Sequence, residues 1–376
     1  MRSNTQEAFF ALVRGGLWES EVRLSQFGQV DYEEVMRLAE EQSVVGLVTA
    51  GLELVQDIKV PQEVLLQFIG STLQIEQQNK ALNGFVADLI GKLRKEDIYT
   101  LLVKGQGVAQ CYDKPLWRSS GDVDLFMSSL NYDKAKSVLI PLASKVDEEY
   151  ESSQHLGMTI NGWVVELHGT LQCNLSPRVK RAIEAIENDI IYGGQVRSWL
   201  NGSTQVFLPG PNEDAIYIFA HFLNHFYKEG VGLRQICDWC RLLYTYRDSL
   251  NYGLLEQRIK RAGLMSEWKA FGALAIEYLG FPKDSMPLLD VRSKKEYVRW
   301  RKKADRIMEF ILKSGNMGHN RDMSHFSKYP YLIRKCVSMG RRIGDLINHA
   351  RIFPLDSLRF FPRIMFNGVR SAMRGE

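Results

Sequence analysis

The chain lacks any apolar run long enough to cross a bilayer, and it is poor in cysteine and proline. A spanning helix needs about 20 consecutive apolar residues, whereas Ala8-Phe9-Phe10-Ala11-Leu12-Val13 ends at Arg14-Gly15-Gly16 with no small-residue cleavage pattern. Insertion and export are thereby disfavoured, and a cytoplasmic protein is expected. The five cysteines, Cys111, Cys173, Cys237, Cys240 and Cys336, are odd in number and scattered. That argues against a disulfide framework and fits a reducing compartment. Cys237-Asp238-Trp239-Cys240 has Cys-x-x-Cys spacing, but no second pair follows and the surrounding pattern is helical, which disfavours zinc and redox roles. With 45% hydrophobic and 24% charged residues, the chain is neither disordered nor fibrous in composition. Its 376 residues suffice for two or three domain-sized units.

The most informative stretch is Lys104-Gly105-Gln106-Gly107, followed by Ser119-Ser120-Gly121-Asp122-Val123-Asp124-Leu125. Side chains two apart on a strand share a face, so Asp122 and Asp124 would point together while Val123 and Leu125 enter the core. Two adjacent carboxylates repel unless a cation lies between them. Mg²⁺ (or Mn²⁺) suits that place, because it takes carboxylate oxygens and keeps positions for water and phosphate. The same pair also occurs in turns and on solvated strand edges. Context favours the metal reading: Ile98 to Val103 forms a β-prone run, and Gln106 to Tyr112 can continue as a helix whose N-terminus would receive a phosphate.

A third acid follows from register. His155-Leu156-Gly157-Met158-Thr159-Ile160 and Trp163-Val164-Val165-Glu166-Leu167-His168 flank Asn161-Gly162, a strong hairpin signal. A two-residue loop sets Gly157 opposite Glu166 and His155 opposite His168. Glu166 then joins a strand that could lie beside the Asp-x-Asp strand, with the glycine leaving room for ligand. The alternative is a hairpin whose polar face meets water.

These blocks, with Arg118 between them, resemble the uncharacterised nucleotidyltransferase family of bacteria, a branch of the polymerase-β-like nucleotidyltransferase superfamily. His221, His225 and Gly230-Val231-Gly232-Leu233-Arg234-Gln235-Ile236-Cys237-Asp238 resemble its helical segment, so the similarity covers roughly residues 30 to 250. The resemblance implies that Asp122, Asp124 and Glu166 bind divalent metal and that the Gly105 turn holds a triphosphate. Gln106 stands where the wider superfamily has serine, and Lys104 precedes the turn.

The resulting expectation is an α+β fold: a small mixed sheet of four or five strands flanked by helices. Residues 1-95 form a helical N-terminal region, 96-210 the α/β core, 211-290 a helical bundle and 291-376 a basic helical C-terminal region. Asp31 is a candidate N-cap, and Pro61 a first-turn residue of the longest helix. That helix carries Val64, Leu65, Phe68, Ile69, Leu82, Phe85, Val86, Leu89, Ile90 and Leu93 at helical spacing. Its glycines Gly70, Gly84 and Gly91 predict close contacts or slight bends. Tyr132 to Leu142 and residues 177 to 200 read as helical, and Asn212-Glu213-Asp214 as the cap of a helix through Phe226.

His221 and His225, four apart, share a helix face. They line the site, ligate a metal, or stand as satisfied histidines at a seam; His155 and His168 are further candidates for lining it. Arg234 has two readings, a phosphate or base contact and an i,i+4 pair holding Asp238. Arg118 has the better claim on phosphate through its short tether to Asp122, with Ser120, Gly105, Gly107 and Lys104 assisting.

From residue 291 on, 20 Lys and Arg face 7 Asp and Glu, a net of +13 that leaves −9 for the rest of a +4 chain. Val291 to Phe310 reads as an amphipathic helix, and Leu358 to Phe366 adds exposed-looking aromatics beside arginines. Three readings fit this region: an anionic lipid surface at the inner membrane face, RNA or another polyanion, and cover for the acidic N-terminal portion. The functional expectation is transfer of a nucleoside monophosphate from an NTP to an unidentified acceptor. A non-catalytic nucleotide-binding interaction protein on the same scaffold is the rival.

Overall fold

In the computed structural model, which describes residues 3–149, 154–171, 173, 175–228, 230–318, 320 and 331–373, helix α1 (Asn4–Trp18) starts where Ser3 and Gln6 close a capping box. Met1, Arg2 and the side chains of Cys336 and Ile364 lie outside the described residues. Helix α2 (Tyr32–Glu41) is capped by Asp31, whose carboxylate accepts from the Glu33 and Glu34 amides, as its position predicts. Helix α3 (Val45–Glu53) packs on α1, and α4 (Gln62–Lys95) follows. Pro61 is the residue before α4 rather than part of its first turn.

The C-terminal half of α4 lies across the sheet. Leu82, Val86, Leu89, Ile90 and Leu93 share one apolar cluster with Leu102, Val123, Leu125, Leu156 and Val165. Two packing expectations along this helix fail, an inward Ile69 and close contacts at its glycines. Ile69 is 40% exposed, on the part of α4 that precedes the residues covering the sheet. Gly70, Gly84 and Gly91 face open space instead of a close neighbour.

The sheet is larger than expected: seven strands in the order β3-β4-β5-β2-β1-β7-β6. These are β1 (Leu101–Val103), β2 (Asp122–Phe126), β3 (Lys145–Val146), β4 (His155–Ile160), β5 (Trp163–His168), β6 (Val196–Asn201) and β7 (Thr204–Pro209). The difference lies mainly at residues 177 to 200. Helix α7 (Pro177–Ile191) stops before Gly193-Gly194, and Val196 to Asn201 alternates in exposure as an edge strand does. The β6–β7 hairpin extends the sheet beyond β1, to which β7 is parallel. Short helices α5 (Gly105–Ala109) and α6 (Ser129–Leu139) complete the unit; α5 ends sooner than the sequence suggests.

Helices α8 (Pro211–Lys228), α9 (Leu233–Thr245), α10 (Tyr252–Ala262) and α11 (Met265–Leu279) follow. Pro211 opens α8, and the expected caps Glu213 and Asp214 are buried instead, paired with Arg258 and Arg197. Phe219, Phe222, Trp239, Trp268 and Phe271 pack ring against ring in tilted and edge-to-face pairs within this bundle. Cys237 and Cys240 are fully buried there, and burial pushes both thiols up, away from reactivity. Helix α12 (Lys294–Ser314) packs its Trp300, Ile307, Met308 and Phe310 inward as its amphipathic pattern predicts. Helices α13 (Tyr331–Ile352) and α14 (Pro354–Met373) form the C-terminal pair. Phe360, read from sequence as exposed, is buried against Tyr227, while Phe366 does face solvent. No helix among the described residues is long and apolar enough to cross a membrane.

Candidate functional site

Strand β2 divides its side chains as the period of two requires. Val123 and Leu125 are buried toward α4, while Asp122, Asp124 and Phe126 take the opposite face; Phe126 belongs to the apolar cluster that contains α8 and α9. Strand β5 runs parallel to β2 and sets Glu166 directly beside Asp124. The β4–β5 hairpin has the expected register, Gly157 opposite Glu166 and His155 opposite His168, around a turn in which Asn161 and Gly162 take φ of 51° and 82°. The space above Gly157 is not free for a ligand: a Cβ there would lie 2.7 Å from the carboxylate of Asp147.

The side chains on this face form a row in which nitrogen-bearing groups and carboxylates alternate. Lys104 Nζ lies 2.8 Å from Asp124 Oδ1. His168 Nε2 is 2.9 Å from the same oxygen and 3.5 Å from Glu166 Oε2, which lies 3.2 Å from His155 Nε2. The two imidazoles stack with centroids 4.8 Å apart. One ligand atom from each of His155, Glu166 and His168 fits within a 4.8 Å sphere of separation, a group able to hold a metal ion.

Electrostatics follow from these contacts. The charge of Asp124, then burial, raises the Asp122 carboxyl. Burial opposes the charge on Lys104, but the attractions of Asp124, Tyr217 and Asp122 together outweigh it and the ammonium is raised above its usual range. His168 is raised in the same way: burial works against protonation, and its bonds to Asp124 and Glu166 prevail. Hydrogen bonds from His155 and His168 hold Glu166 well below the carboxylate range.

Helices α8 and α9 form the opposite wall. A cavity of about 50 Å³ is lined by Lys104, Gly105, Asp122, Asp124, His221 and Arg234, among others. Burial, then the charge of Lys104, lowers His221 well below the usual imidazole range, so the ring is neutral. His225 contacts His221 ring to ring, Nε2 to Nε2 at 3.1 Å, and is not a lining residue of this cavity.

The basic groups divide their work differently from the sequence reading. Arg118 spends its fork on Asp238, with Nε–Oδ1 and Nη2–Oδ2 both 2.7 Å, and Tyr112 donates to the same carboxylate at 2.8 Å. Its remaining Nη1 donates to Ser120 Oγ at 2.8 Å. Asp238 is thus held by Arg118 rather than by Arg234. Arg234 donates Nη1 to Ser119 O at 2.8 Å and borders the cavity; burial, then the charge of Arg118, lowers its pKa.

The glycine turn is also partly structural. Gln106 is buried, and its amide donates to Asn79 Oδ1 at 2.9 Å, while Asn79 donates to the Leu116 and Arg118 carbonyls. A Cβ on Gly107 would lie 2.7 Å from Leu208, so that glycine serves the packing of α5 on β7. Lys104 and Gly105 remain at the cavity. Sequence reasoning missed Asn79, Tyr112 and Asp147, whose partners Gln106, Asp238 and Gly157 lie on other elements and leave no local pattern.

A family model described as an uncharacterised nucleotidyltransferase matches residues 28–280, a span that contains every side chain of this cavity. No curated protein and no solved structure matches the chain.

Proposed function

The chain belongs to the uncharacterised nucleotidyltransferase family, and from that premise we propose that it moves a nucleoside monophosphate from an NTP to an acceptor hydroxyl or phosphate, releasing pyrophosphate. The observation that carries this reading is the parallel register that sets Asp124 against Glu166, with Asp122 on the same face and the Gly105 turn alongside. The donor set fits Mg²⁺ or Mn²⁺: the carboxylates are hard oxygen ligands, and the raised Asp122 carboxyl reports a repulsion that a cation would relieve.

Asp122, Asp124 and Glu166 would hold the metal, which when bound supplies charge neutralisation for the triphosphate. Glu166 is better suited to metal binding than to proton removal, since its lowered pKa makes it a weak base. Lys104 and the Gly105 backbone would bind phosphate, and Arg234, which lines the same cavity, would assist them. Arg118, Ser120, Gln106 and Gly107 would position the loop and the turn rather than touch the nucleotide. The exposed Leu355, Leu358 and Phe366 beside Arg359 support peripheral contact of the C-terminal helices with an anionic membrane surface.

One observation favours the non-catalytic reading. Lys104 and His168 both occupy Asp124, so a fixed ammonium already neutralises part of the acid face. The test is metal-dependent pyrophosphate release from NTP by the purified chain with pooled small-molecule acceptors. Release that disappears in Asp122→Ala and Glu166→Ala supports transfer. Mg²⁺-dependent NTP binding with no pyrophosphate from any pool establishes the binding protein instead.

A further inference from the structure

One carboxylate oxygen on the site face lies between two imidazoles. Glu166 Oε2 is 3.2 Å from His155 Nε2 and 3.5 Å from His168 Nε2, and one ligand atom from each of the three residues lies within 4.8 Å of the others. We propose that His155, Glu166 and His168 form a second metal site, which takes Zn²⁺ or a similar borderline transition-metal cation in preference to Mg²⁺. The proposal stands apart from the transfer reading, because it needs neither a nucleotide nor Asp122.

The distances separate a metal site from a plain hydrogen-bonded chain. Charge-assisted hydrogen bonds between such groups run about 2.7 to 2.9 Å, and both contacts of Glu166 Oε2 are longer. Ligands held about 2.1 Å from a common cation stand about 3.0 Å apart in an octahedral arrangement and about 3.4 Å apart in a tetrahedral one. The spacing found is close to these. The strands fix it: His155 faces His168 across the β4–β5 pair, and Glu166 lies two residues before His168 on β5. The period of two then puts all three side chains on one face, with no backbone rearrangement needed to bring them together.

The donor set selects the ion. Mg²⁺ takes oxygen ligands and sheds its water reluctantly, whereas imidazole suits zinc and its neighbours among the transition metals. Two imidazoles and a glutamate, with a further position open to water or a substrate oxygen, are a donor set used by catalytic zinc. Access agrees with this. The side chains of His155 and Glu166 are each 30% exposed, while that of Asp124 is 2% exposed, so a cation arriving from solvent meets the imidazole end first. Lys104 already holds the Asp124 end with its ammonium. The Asp147 carboxylate fills the space over Gly157, opposite Glu166, and adds negative charge beside the group. Both imidazole contacts use Oε2 of Glu166, which leaves Oε1 for the Mg²⁺ proposed at Asp122 and Asp124.

The experiment uses the full chain, freed of metal by a chelator and checked for folding by circular dichroism. Calorimetric titration with Zn²⁺, with Mg²⁺ in excess, should show a saturable site. Co²⁺ should give a visible absorption band that Zn²⁺ abolishes and Mg²⁺ does not. Loss of an outer-shell partner costs metal sites about 10- to 100-fold, so His155→Ala and His168→Ala, which each remove a ligand, should weaken Zn²⁺ at least ~100-fold. His155 is the more exposed of the two, and its variant carries the test where loss of His168 prevents folding. Zn²⁺ binding undiminished in folded His155→Ala places the ion elsewhere, at His221 and His225 for example, and overturns the proposal. Loss of the Co²⁺ band on adding Mg²⁺ overturns it too. A chain that binds Mg·ATP but neither Zn²⁺ nor Co²⁺ overturns this site alone. Zn²⁺ binding that depends on His155, in a chain that binds no Mg·ATP, sustains the site and overturns the transfer reading.

Discussion

Lys104 reaches Asp124 with its ammonium, 2.8 Å from Oδ1, while its own backbone sits at φ 58° and ψ −145°. That conformation is one that non-glycine residues rarely take, and it costs about 1 to 3 kcal/mol. The ion pair and the two packed neighbours of the turn hold it. Lysine here places a charge at a position whose backbone would suit glycine.

The two effects can be separated. Lys104→Met and Lys104→Gly both remove the charge and leave Asp124 with His168 as its partner, so each costs less than the about 3 to 5 kcal/mol of an unpaired buried charge. Only the glycine relieves the backbone, so it should be the more stable of the two by about 1 to 3 kcal/mol in urea unfolding. Equal midpoints would show that the turn is unstrained.

Asp122→Asn should lower metal-dependent turnover about 1000-fold, equivalent to roughly 4 kcal/mol, yet raise the melting temperature of the metal-free protein. The sign follows from the raised carboxyl. Folding disfavours ionised Asp122 beside Asp124, so the wild type loses stability as pH rises through that raised pKa. Asparagine has no such loss, and its advantage should be larger at pH 7 than at pH 4. Thermal melts at both values check this.

Gln106→Ser should not improve nucleotide binding. The side chain is directed to Asn79 and away from the cavity. Serine is too short to make that bond, and the expected outcome is a loss of about 1 to 2 kcal/mol in stability with NTP affinity unchanged. A gain in affinity would place position 106 in contact with phosphate after all.

Glu267 is completely buried on α11, accepts from the Tyr227 hydroxyl at 3.1 Å, and is pushed up to about 8, chiefly by burial and then by Asp356. Between pH 5 and 8 the folded protein keeps this proton and the unfolded chain does not. Stability should therefore fall as pH rises across that window, by about 1.4 kcal/mol per unit from this group. Glu267→Gln should remove the slope, and denaturant unfolding at pH 5.5 and 7.5 measures it.

The parts of the site legible in the sequence are those with a local period or a fixed turn. Asp122 and Asp124 share a face because strands alternate, and His155, Gly157, Glu166 and His168 fall in register because Asn161-Gly162 admits the two positive φ angles of a tight turn. The helix dividing line at Gly193-Gly194 was present too, but the apolar spacing of α7 runs up to it and hides the edge strand that follows. Arg118 with Asp238, and Gln106 with Asn79, are partners 120 and 27 residues apart. Nothing in the spacing of either pair selects it over its rivals, since only the completed packing of α4 and α9 on the core brings them together.

The sheet order has a consequence for how the protein is made. Asp124 and Glu166 meet through a parallel pairing, and β1 waits for β7, whose partner Phe207 lies far downstream of Leu101. Distant pairings of this kind form slowly because the intervening loop must be ordered first. A nascent chain that has emerged only as far as residue 150 carries two of the three acids and none of the strand that completes them. The three acids thus meet only after residue 168 has emerged, and the wall that α8 and α9 set against them is complete only after residue 245.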